Sequence, residues 1–134
     1  MIYLDATAVV KLVRQEAQTG DLVGWLNARP RHQLVSSVLV EVEVSRALRR
    51  FAPQGLAGVA ATLRRLYRVE VDAAVRSTAM VFADSELRTL DAIHLATAQL
   101  LGTELDAFVS YDRWLLTAAR ASGLPVASPG LSLP

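Results

Sequence analysis

The sequence predicts an α/β domain organised around a parallel sheet, and three observations support this fold class. Short apolar segments recur along the chain, and stretches with a helical spacing of apolar residues separate them. The first segment, Ile2 to Leu4, is apolar throughout, which is typical of a strand covered on both faces. The 134 residues suit one compact domain, so we expect residues 1–134 to form a single unit.

The predicted strands are short, and each is recognised by an apolar or alternating pattern. Residues 107–109 are apolar throughout, like the first strand. Residues 68–71 alternate between charged and apolar residues, which indicates a position nearer the edge of the sheet. The complete set is residues 2–4, 33–36, 68–71 and 107–109, with a last short strand that begins at Val126.

The predicted helices are bounded by residues that interrupt, cap or end a helix. Pro30 separates a helix from the second strand, and Pro53 ends a later helix. Thr89 is expected to cap a helix that Gly102 ends, and Gly123 ends the last one. With the apolar spacing, these signals place helices at residues 8–13, 21–28, 39–51, 54–66, 73–83, 90–101 and 113–121.

The composition excludes several classes of protein. The hydrophobic fraction is 52% and the mean hydropathy is +0.31, which predicts either a large core or an apolar face kept for a partner. No apolar run approaches the roughly 18 residues of a membrane-spanning helix, and no signal peptide is recognisable. The absence of cysteine excludes disulfides and thiol chemistry. We therefore expect a cytoplasmic protein without a membrane partner.

Two of the apolar strands lead into an aspartate. Asp5 follows the first strand directly, and Asp112 follows the strand at residues 107–109 after two further residues. Taken alone, Asp5 is better explained as a helix cap. The carboxyl ends of parallel strands, however, lie at one edge of the sheet, where open α/β folds build their sites. The pair therefore predicts that two carboxylates from distant parts of the chain converge.

Two further acidic positions are candidates for the same site. Asp91 falls in the first turn of a helix that is apolar almost all round, which predicts partial burial; a role in complementing the helix dipole explains it equally well. Glu41 and Glu43 flank the apolar stripe of another helix on opposite sides. We choose Glu43 because Arg46 shares its flank and would suit a phosphate ligand, although a solvated Glu43–Arg46 pair is a serious alternative.

Four carboxylates at one edge of a sheet repel one another and therefore need a cation. Oxygen ligands favour Mg²⁺ or Mn²⁺, and a chain without cysteine or a histidine cluster disfavours zinc. Such an ion polarises a phosphoryl oxygen and activates water for in-line attack. With four of the 13 acidic residues set aside, 14 basic residues remain against 9 acidic ones, as a nucleic-acid hydrolase needs.

These segments resemble the PIN-domain family, and more narrowly the VapC-type toxins of bacterial toxin–antitoxin pairs. The resemblance runs almost the full length of the chain. Its most specific segment is Leu90-Asp91-Ala92-Ile93-His94-Leu95-Ala96. The other matching segments are Ile2-Tyr3-Leu4-Asp5-Ala6-Thr7-Ala8, Glu43-Val44-Ser45-Arg46-Ala47 and Phe108-Val109-Ser110-Tyr111-Asp112.

The resemblance implies a three-layer α/β/α PIN-like domain with a five-stranded parallel sheet. It also implies a Mg²⁺-dependent endoribonuclease that forms a homodimer and is inhibited by a small VapB-like antitoxin. By position, Asp5 and Asp91 correspond to the family's metal-binding acids, and Glu43 and Asp112 complete the quartet. The chain departs from the family at Ala6, where a hydroxyl residue is usual.

Our hypothesis is an RNA hydrolase in which Asp5, Asp91 and Asp112 hold Mg²⁺, directly or through water. Glu43 either binds the ion or orients the attacking water. The residues expected to contact the RNA substrate are Thr7, Arg46, Ser110 and Arg113.

Two other functions are compatible with parts of the pattern. A phosphatase of the haloacid dehalogenase type also begins with a strand and an aspartate, but it needs a second aspartate where this chain has Thr7. A catalytically silent RNA-binding or antitoxin-sequestering module is the second alternative, although a pure binder gains nothing from four repelling carboxylates. We expect His94 to be a hydrogen-bonded core residue and not part of the chemistry.

Overall fold

The computed structural model describes residues 1–134 and confirms the predicted α/β fold. The strands are β1 (Ile2–Leu4), β2 (Leu34–Ser37), β3 (Tyr67–Val69), β4 (Ala107–Val109) and β5 (Val126–Ala127). They form one parallel sheet in the order β3-β2-β1-β4-β5. The helices are α1 (Ala6–Val13), α2 (Thr19–Asn27), α3 (Val40–Phe51), α4 (Val59–Leu63), α5 (Ala73–Met80), α6 (Thr89–Leu100) and α7 (Arg113–Ala121).

Separate apolar cores cover the two faces of the sheet, so the domain has three layers. Ile2 and Leu4 point to one face and pack with buried residues of α1, α2, α3 and α4. Tyr3 points to the opposite face and packs with Phe108 of β4 and with buried residues of α6 and α7. All three residues of β1 are fully buried, which explains why the strand is apolar without alternation.

The order of the strands places a topological switch point beside β1. From β1 the chain moves outward on one side through β2 to β3, and then returns to the other side of β1 to form β4 and β5. In folds of this kind, ligands bind outside the carboxyl ends of the strands at the switch point. Asp5 follows β1 there, and residues 110–112 follow β4.

The ends of several predicted elements shift by one to three residues, and the following differences are informative. The helix predicted over residues 54–66 is a 3₁₀ segment, Pro53–Gly58, followed by the short α4, because two glycines weaken the helix and Gly55 lies close against Leu48. Thr89, predicted as a cap, is instead the first residue of α6, and its side chain is not a capping group. The helix predicted to reach residue 83 ends at Met80.

No helix in the domain combines the length and apolar character that crossing a bilayer requires.

Candidate active site

A cavity of about 420 Å³ lies at the carboxyl edge of the sheet. All four candidate acids line it, and they come from four separate parts of the fold: the start of α1, α3, α6 and the start of α7. The topology therefore brings together the carboxylates that the sequence singled out. The complete lining is Asp5, Ala6, Thr7, Glu43, Arg88, Thr89, Leu90, Asp91, His94 and Asp112.

Asp5 is the buried centre of this site. Its side chain is only 2% exposed, and it caps α1 by accepting a hydrogen bond from the Ala8 amide at 3.0 Å. The Thr7 hydroxyl donates to the same oxygen, Oδ1, at 2.6 Å, and the Ser110 hydroxyl donates to Oδ2 at 2.5 Å. Asp5 is therefore both a helix cap and part of the acidic cavity. The two interpretations of Asp5 from the sequence, a cap and a site residue, are both correct.

Thr7 and Ser110 join the segments that follow β1 and β4. The Thr7 hydroxyl accepts a hydrogen bond from the Tyr111 amide at 2.9 Å, and the Ser110 hydroxyl accepts one from the Asp112 amide at 3.0 Å. Ser110 is fully buried, and its hydroxyl is held between these two partners. This burial argues against the substrate contact predicted for Ser110, because its oxygen is committed to orienting Asp5. The Thr7 hydroxyl borders the cavity but is engaged in the same network.

Arg88 links the other two aspartates. Its Nε lies 3.4 Å from Oδ2 of Asp91, and its Nη2 lies 3.4 Å from Oδ2 of Asp112. Asp112 is fixed from its other side, because Oδ1 caps α7 by accepting the Trp114 and Leu115 amides. The guanidinium group therefore supplies the positive charge that this pair of carboxylates requires.

Glu43 is held by a histidine and not by an arginine of its own helix. Its Oε1 lies 2.6 Å from Nε2 of His94, so the predicted alternative of a Glu43–Arg46 ion pair is not formed. Glu41, the competing candidate, lies elsewhere and pairs with Arg68 at 2.6 Å. The two glutamates thus point to different surroundings, and only Glu43 borders the acidic cavity.

Burial shifts the ionisation of two of the aspartates. Desolvation raises the pKa of Asp5, while the hydrogen bonds from Ser110 and Thr7 partly offset this rise. Desolvation also raises the pKa of Asp91; the nearby Asp112 carboxylate adds to the rise, and Arg88 opposes it. Both carboxylates would gain from a cation that stabilises their charged forms.

The donor set suits a hard divalent cation, since the cavity offers carboxylate and hydroxyl oxygens and only one imidazole. As they stand, however, no three of the acidic or histidine side chains are close enough together to hold one ion. In this arrangement Arg88 contacts both Asp91 and Asp112, and hydrogen bonds hold Asp5 in place. The residues therefore fit a metal site in their chemistry, and two of them are paired with Arg88 in this structure.

A wide basic cleft adjoins the acidic cavity. It has a volume of about 790 Å³ and shares Glu43 and Arg88 with the cavity. Arg46, predicted to contact the substrate, lines this cleft, whereas Arg113 is exposed at the start of α7 and lines neither space. The remaining lining residues are Ala47, Arg49, Arg50 and Phe51.

The sequence did not single out Arg88, and it predicted His94 only as a hydrogen-bonded core residue. The burial of His94 and its contacts with Tyr3 and Glu43 agree with that prediction, but they also place it against a site residue. Arg88 and His94 both lie on the flanks of Asp91: Arg88 precedes it by three residues, and His94 follows it by three. Residues three apart share a helix face, so this spacing was a usable signal. What the sequence could not predict is the partner of His94, because Glu43 lies 51 residues away in the sequence.

Comparison with known proteins identifies the family of the chain. Residues 2–121 match the family model described as the PIN domain. The chain therefore belongs to the PIN domain family.

Its relatives place it among the VapC-type members of that family. Ribonuclease VapC35 of Mycobacterium tuberculosis is 48% identical over 132 residues, which cover 97% of this chain and 98% of the relative. Ribonuclease VapC46 of the same organism is 41% identical over 128 residues, with 96% and 97% covered. The sequence resemblance is thus confirmed.

A solved structure shares the fold. The crystal structure of Mycobacterium tuberculosis VapC20, described as a sarcin-ricin loop cleaving toxin, superposes with a TM-score of 0.70 and covers 92% of this chain and 96% of that one. The two sequences are 17% identical, so the likeness concerns the fold.

Proposed function

We propose that the protein is an endoribonuclease, the toxin of a VapBC-type toxin–antitoxin pair, which hydrolyses phosphodiester bonds of RNA in the cytoplasm. The observation that carries this proposal is the lining of one cavity by Asp5, Glu43, Asp91 and Asp112, from four distant segments. Relatives that match nearly the whole chain and are named ribonucleases support it.

The metal that we assign to this cavity is Mg²⁺, with Mn²⁺ as a substitute. Asp5, Asp91 and Asp112 would hold it, and the raised pKa values of Asp5 and Asp91 mark carboxylates that such an ion would favour in their charged form. When bound, the ion supplies a Lewis acid for the phosphoryl group and lowers the pKa of water. Glu43 borders the same space and would orient the attacking water and accept its proton.

The basic cleft is the part of the surface that we assign to the RNA backbone. Arg46, Arg49 and Arg50 line it, and their guanidinium groups can each bind phosphate oxygens in a fork geometry. Arg88 lines both the cleft and the acidic cavity, so it can exchange its carboxylate partners for a phosphate near the bond to be cut. Phe51 is 69% exposed in the cleft and offers a ring on which a base can stack.

RNA cleavage with and without the metal tests the proposed function. Purified protein is incubated with a mixed pool of structured and single-stranded RNAs in Mg²⁺, in excess EDTA, and in EDTA followed by excess Mg²⁺. We expect cleavage in the first and third conditions only. Equal cleavage in all three would reject a metal-dependent site, and no cleavage of any RNA would favour a binding module.

Replacing Arg46 with alanine is expected to weaken RNA binding and to reduce its dependence on salt. Each phosphate contact to a single strand contributes about 0.7 to the slope of log Kd against log salt concentration, so the slope should fall by about that amount. The measurement is fluorescence anisotropy of a labelled single-stranded RNA in EDTA at several NaCl concentrations. Arg65→Ala, an exposed arginine that lines neither space, is the matched control. An unchanged slope for Arg46→Ala, or an equal change in both variants, would contradict the assignment.

We assign two protein partners, a VapB-like antitoxin and a second copy of the chain. Several large apolar side chains are exposed, including Trp114 at 83%, which fits a surface that a partner covers. Light scattering of the isolated chain is expected to give the mass of a homodimer. A monodisperse monomer at high protein concentration would contradict the dimer.

A further inference from the structure

A buried chain of hydrogen bonds runs from the central strand to the rim of the acidic cavity. The Tyr3 hydroxyl of β1 lies 2.7 Å from Nδ1 of His94 in α6, and Nε2 of His94 lies 2.6 Å from Oε1 of Glu43 in α3. His94 is 1% exposed and Tyr3 is fully buried. Three elements that are distant in sequence therefore meet in one line of polar contacts that ends at a carboxylate.

The chemistry of the three groups fixes the direction of this chain. An ionised carboxylate only accepts hydrogen bonds, so Nε2 of His94 carries a proton and donates a hydrogen bond to Glu43. In the neutral ring Nδ1 then carries no proton, so it accepts a hydrogen bond from the Tyr3 hydroxyl. Each member thus donates toward Glu43, and the network itself selects the histidine tautomer.

The inner two members of the chain have little freedom to move. The ring of Tyr3 stacks on Phe108 with centroids 5.3 Å apart and planes 5° from parallel. The His94 ring meets the edge of Tyr3 at 5.9 Å with planes 77° apart. A shift of either ring would require repacking of the core between the sheet and α6, so together they form a rigid support.

Glu43, in contrast, has a long side chain at the rim of two open spaces. It borders both the acidic cavity and the arginine-lined cleft, and Arg46 lies one turn further along the same helix. Without a fixed partner the carboxylate could turn toward those arginines. The contact with His94 occupies Oε1, and the other oxygen, Oε2, has no hydrogen-bond partner in the protein.

We propose that His94, oriented by Tyr3, is a positioning residue that holds Glu43 toward the acidic cavity and away from the basic cleft. This inference rests on the proposed ribonuclease function, since it assigns His94 to the support of a group that acts there. His94 itself does not reach the RNA, because it is buried. Its effect is therefore exerted mainly on the rate of cleavage, and any change in RNA affinity from a released Glu43 beside the cleft arginines should be small by comparison.

The key comparison is between His94→Leu and His94→Gln. Leucine fills the space but donates nothing, whereas glutamine can place an N–H group near the position of Nε2. Loss of a hydrogen-bonding partner behind a metal ligand typically costs 10–100-fold, and by analogy we expect kcat to fall by about that factor when Glu43 loses its partner in His94→Leu. We expect KM for RNA to stay within about threefold and His94→Gln to recover most of the lost rate. Tyr3→Phe keeps the ring and removes the hydroxyl, so a smaller loss is expected.

The matched control separates positioning from stability. Leu95 is the buried neighbour of His94 in α6 and packs in the core on the same face of the sheet. Leu95→Ala is expected to lower the melting temperature, because it removes buried apolar atoms, while leaving kcat unchanged below that temperature. Unimpaired cleavage by folded His94→Leu, or equal impairment of His94→Leu and His94→Gln, would overturn the proposal.

A spectroscopic measurement tests the contact without metal or substrate. Nitrogen-15 NMR of the metal-free protein reports which ring nitrogen of His94 is protonated, and we expect Nε2–H with an acceptor shift at Nδ1. Glu43→Gln should change the Nε2 signal, and Tyr3→Phe should change the Nδ1 signal. If the wild-type protein cleaves no RNA, the proposed function fails. The NMR measurement still shows whether His94 donates to Glu43 and accepts from Tyr3. A protonated Nδ1 with unprotonated Nε2 would overturn the inference by itself.

Discussion

Replacing Asp5 with asparagine is expected to reduce RNA cleavage at least about 100-fold, because loss of even a supporting partner of a metal ligand costs 10–100-fold. Three donors converge on the Asp5 carboxylate: the Thr7 hydroxyl, the Ser110 hydroxyl and the Ala8 amide. Asparagine removes the negative charge and turns an NH₂ group toward one of these donors. The measurement is the single-turnover rate of RNA cleavage at saturating Mg²⁺, together with circular dichroism to show that the variant is folded.

Asp72→Asn provides a closely matched control for this variant. Asp72 caps α5 in the same way as Asp5 caps α1. Its backbone is extended, and its side chain accepts a hydrogen bond at 2.9 Å from the amide of Val75, three residues further on. It lies outside the acidic cavity. Because asparagine is also a good cap, Asp72→Asn should cleave RNA at the wild-type rate. The assigned role would be contradicted if the Asp5→Asn variant kept a third of the wild-type cleavage rate. It would also be contradicted if Asp72→Asn lost as much of that rate as Asp5→Asn.

The fold could be predicted well where pattern and burial agree. All residues of β1 and β4 are buried, and their apolar runs identified both strands. The prediction was less accurate where local preference is weak, as in the segment from Pro53 to Leu63, where two glycines allow a 3₁₀ turn. There Gly55 lies close to the Leu48 side chain, and a tertiary contact of that kind leaves no periodic trace in the sequence.

The candidate site could be predicted as a set of residues but not as a set of contacts. The rule that parallel strands end at one edge predicted the convergence of Asp5 and Asp112. It gave no information on how each carboxylate is held, because Ser110, Arg88 and His94 act through partners 24 to 105 residues away. The hydroxyl of Ser110 suggested a substrate contact from the sequence, whereas the packing of β4 against β1 turns it inward.

Mg²⁺ is expected to stabilise the protein, and the effect should grow with pH. A ligand that binds only the folded state at ten times its Kd adds roughly 1.4 kcal/mol to the unfolding free energy, or about 5 °C in Tm for a domain of this size. The ion would replace the Arg88 guanidinium between Asp91 and Asp112 and compensate the buried charge of Asp5. The measurement is a thermal melt with and without Mg²⁺ at matched ionic strength.

The dependence on pH follows from the raised pKa values of Asp5 and Asp91 in the folded state. Below the pKa of an unfolded aspartate, about 3.9, the contribution of these groups to stability is fully present. As the pH rises through the higher pKa values of the folded state, that contribution is lost. The reason is that the ionised aspartates are less favourable in the folded protein than in the unfolded chain. Mg²⁺ binds the ionised carboxylates and offsets this loss, so its stabilising effect should be small at about pH 4.5 and large at about pH 7.5. Asp5→Asn should respond much less than the wild type at about pH 7.5. A shift of Tm that grows as the pH falls, or that persists undiminished in Asp5→Asn, would show that Mg²⁺ binds somewhere other than this cavity.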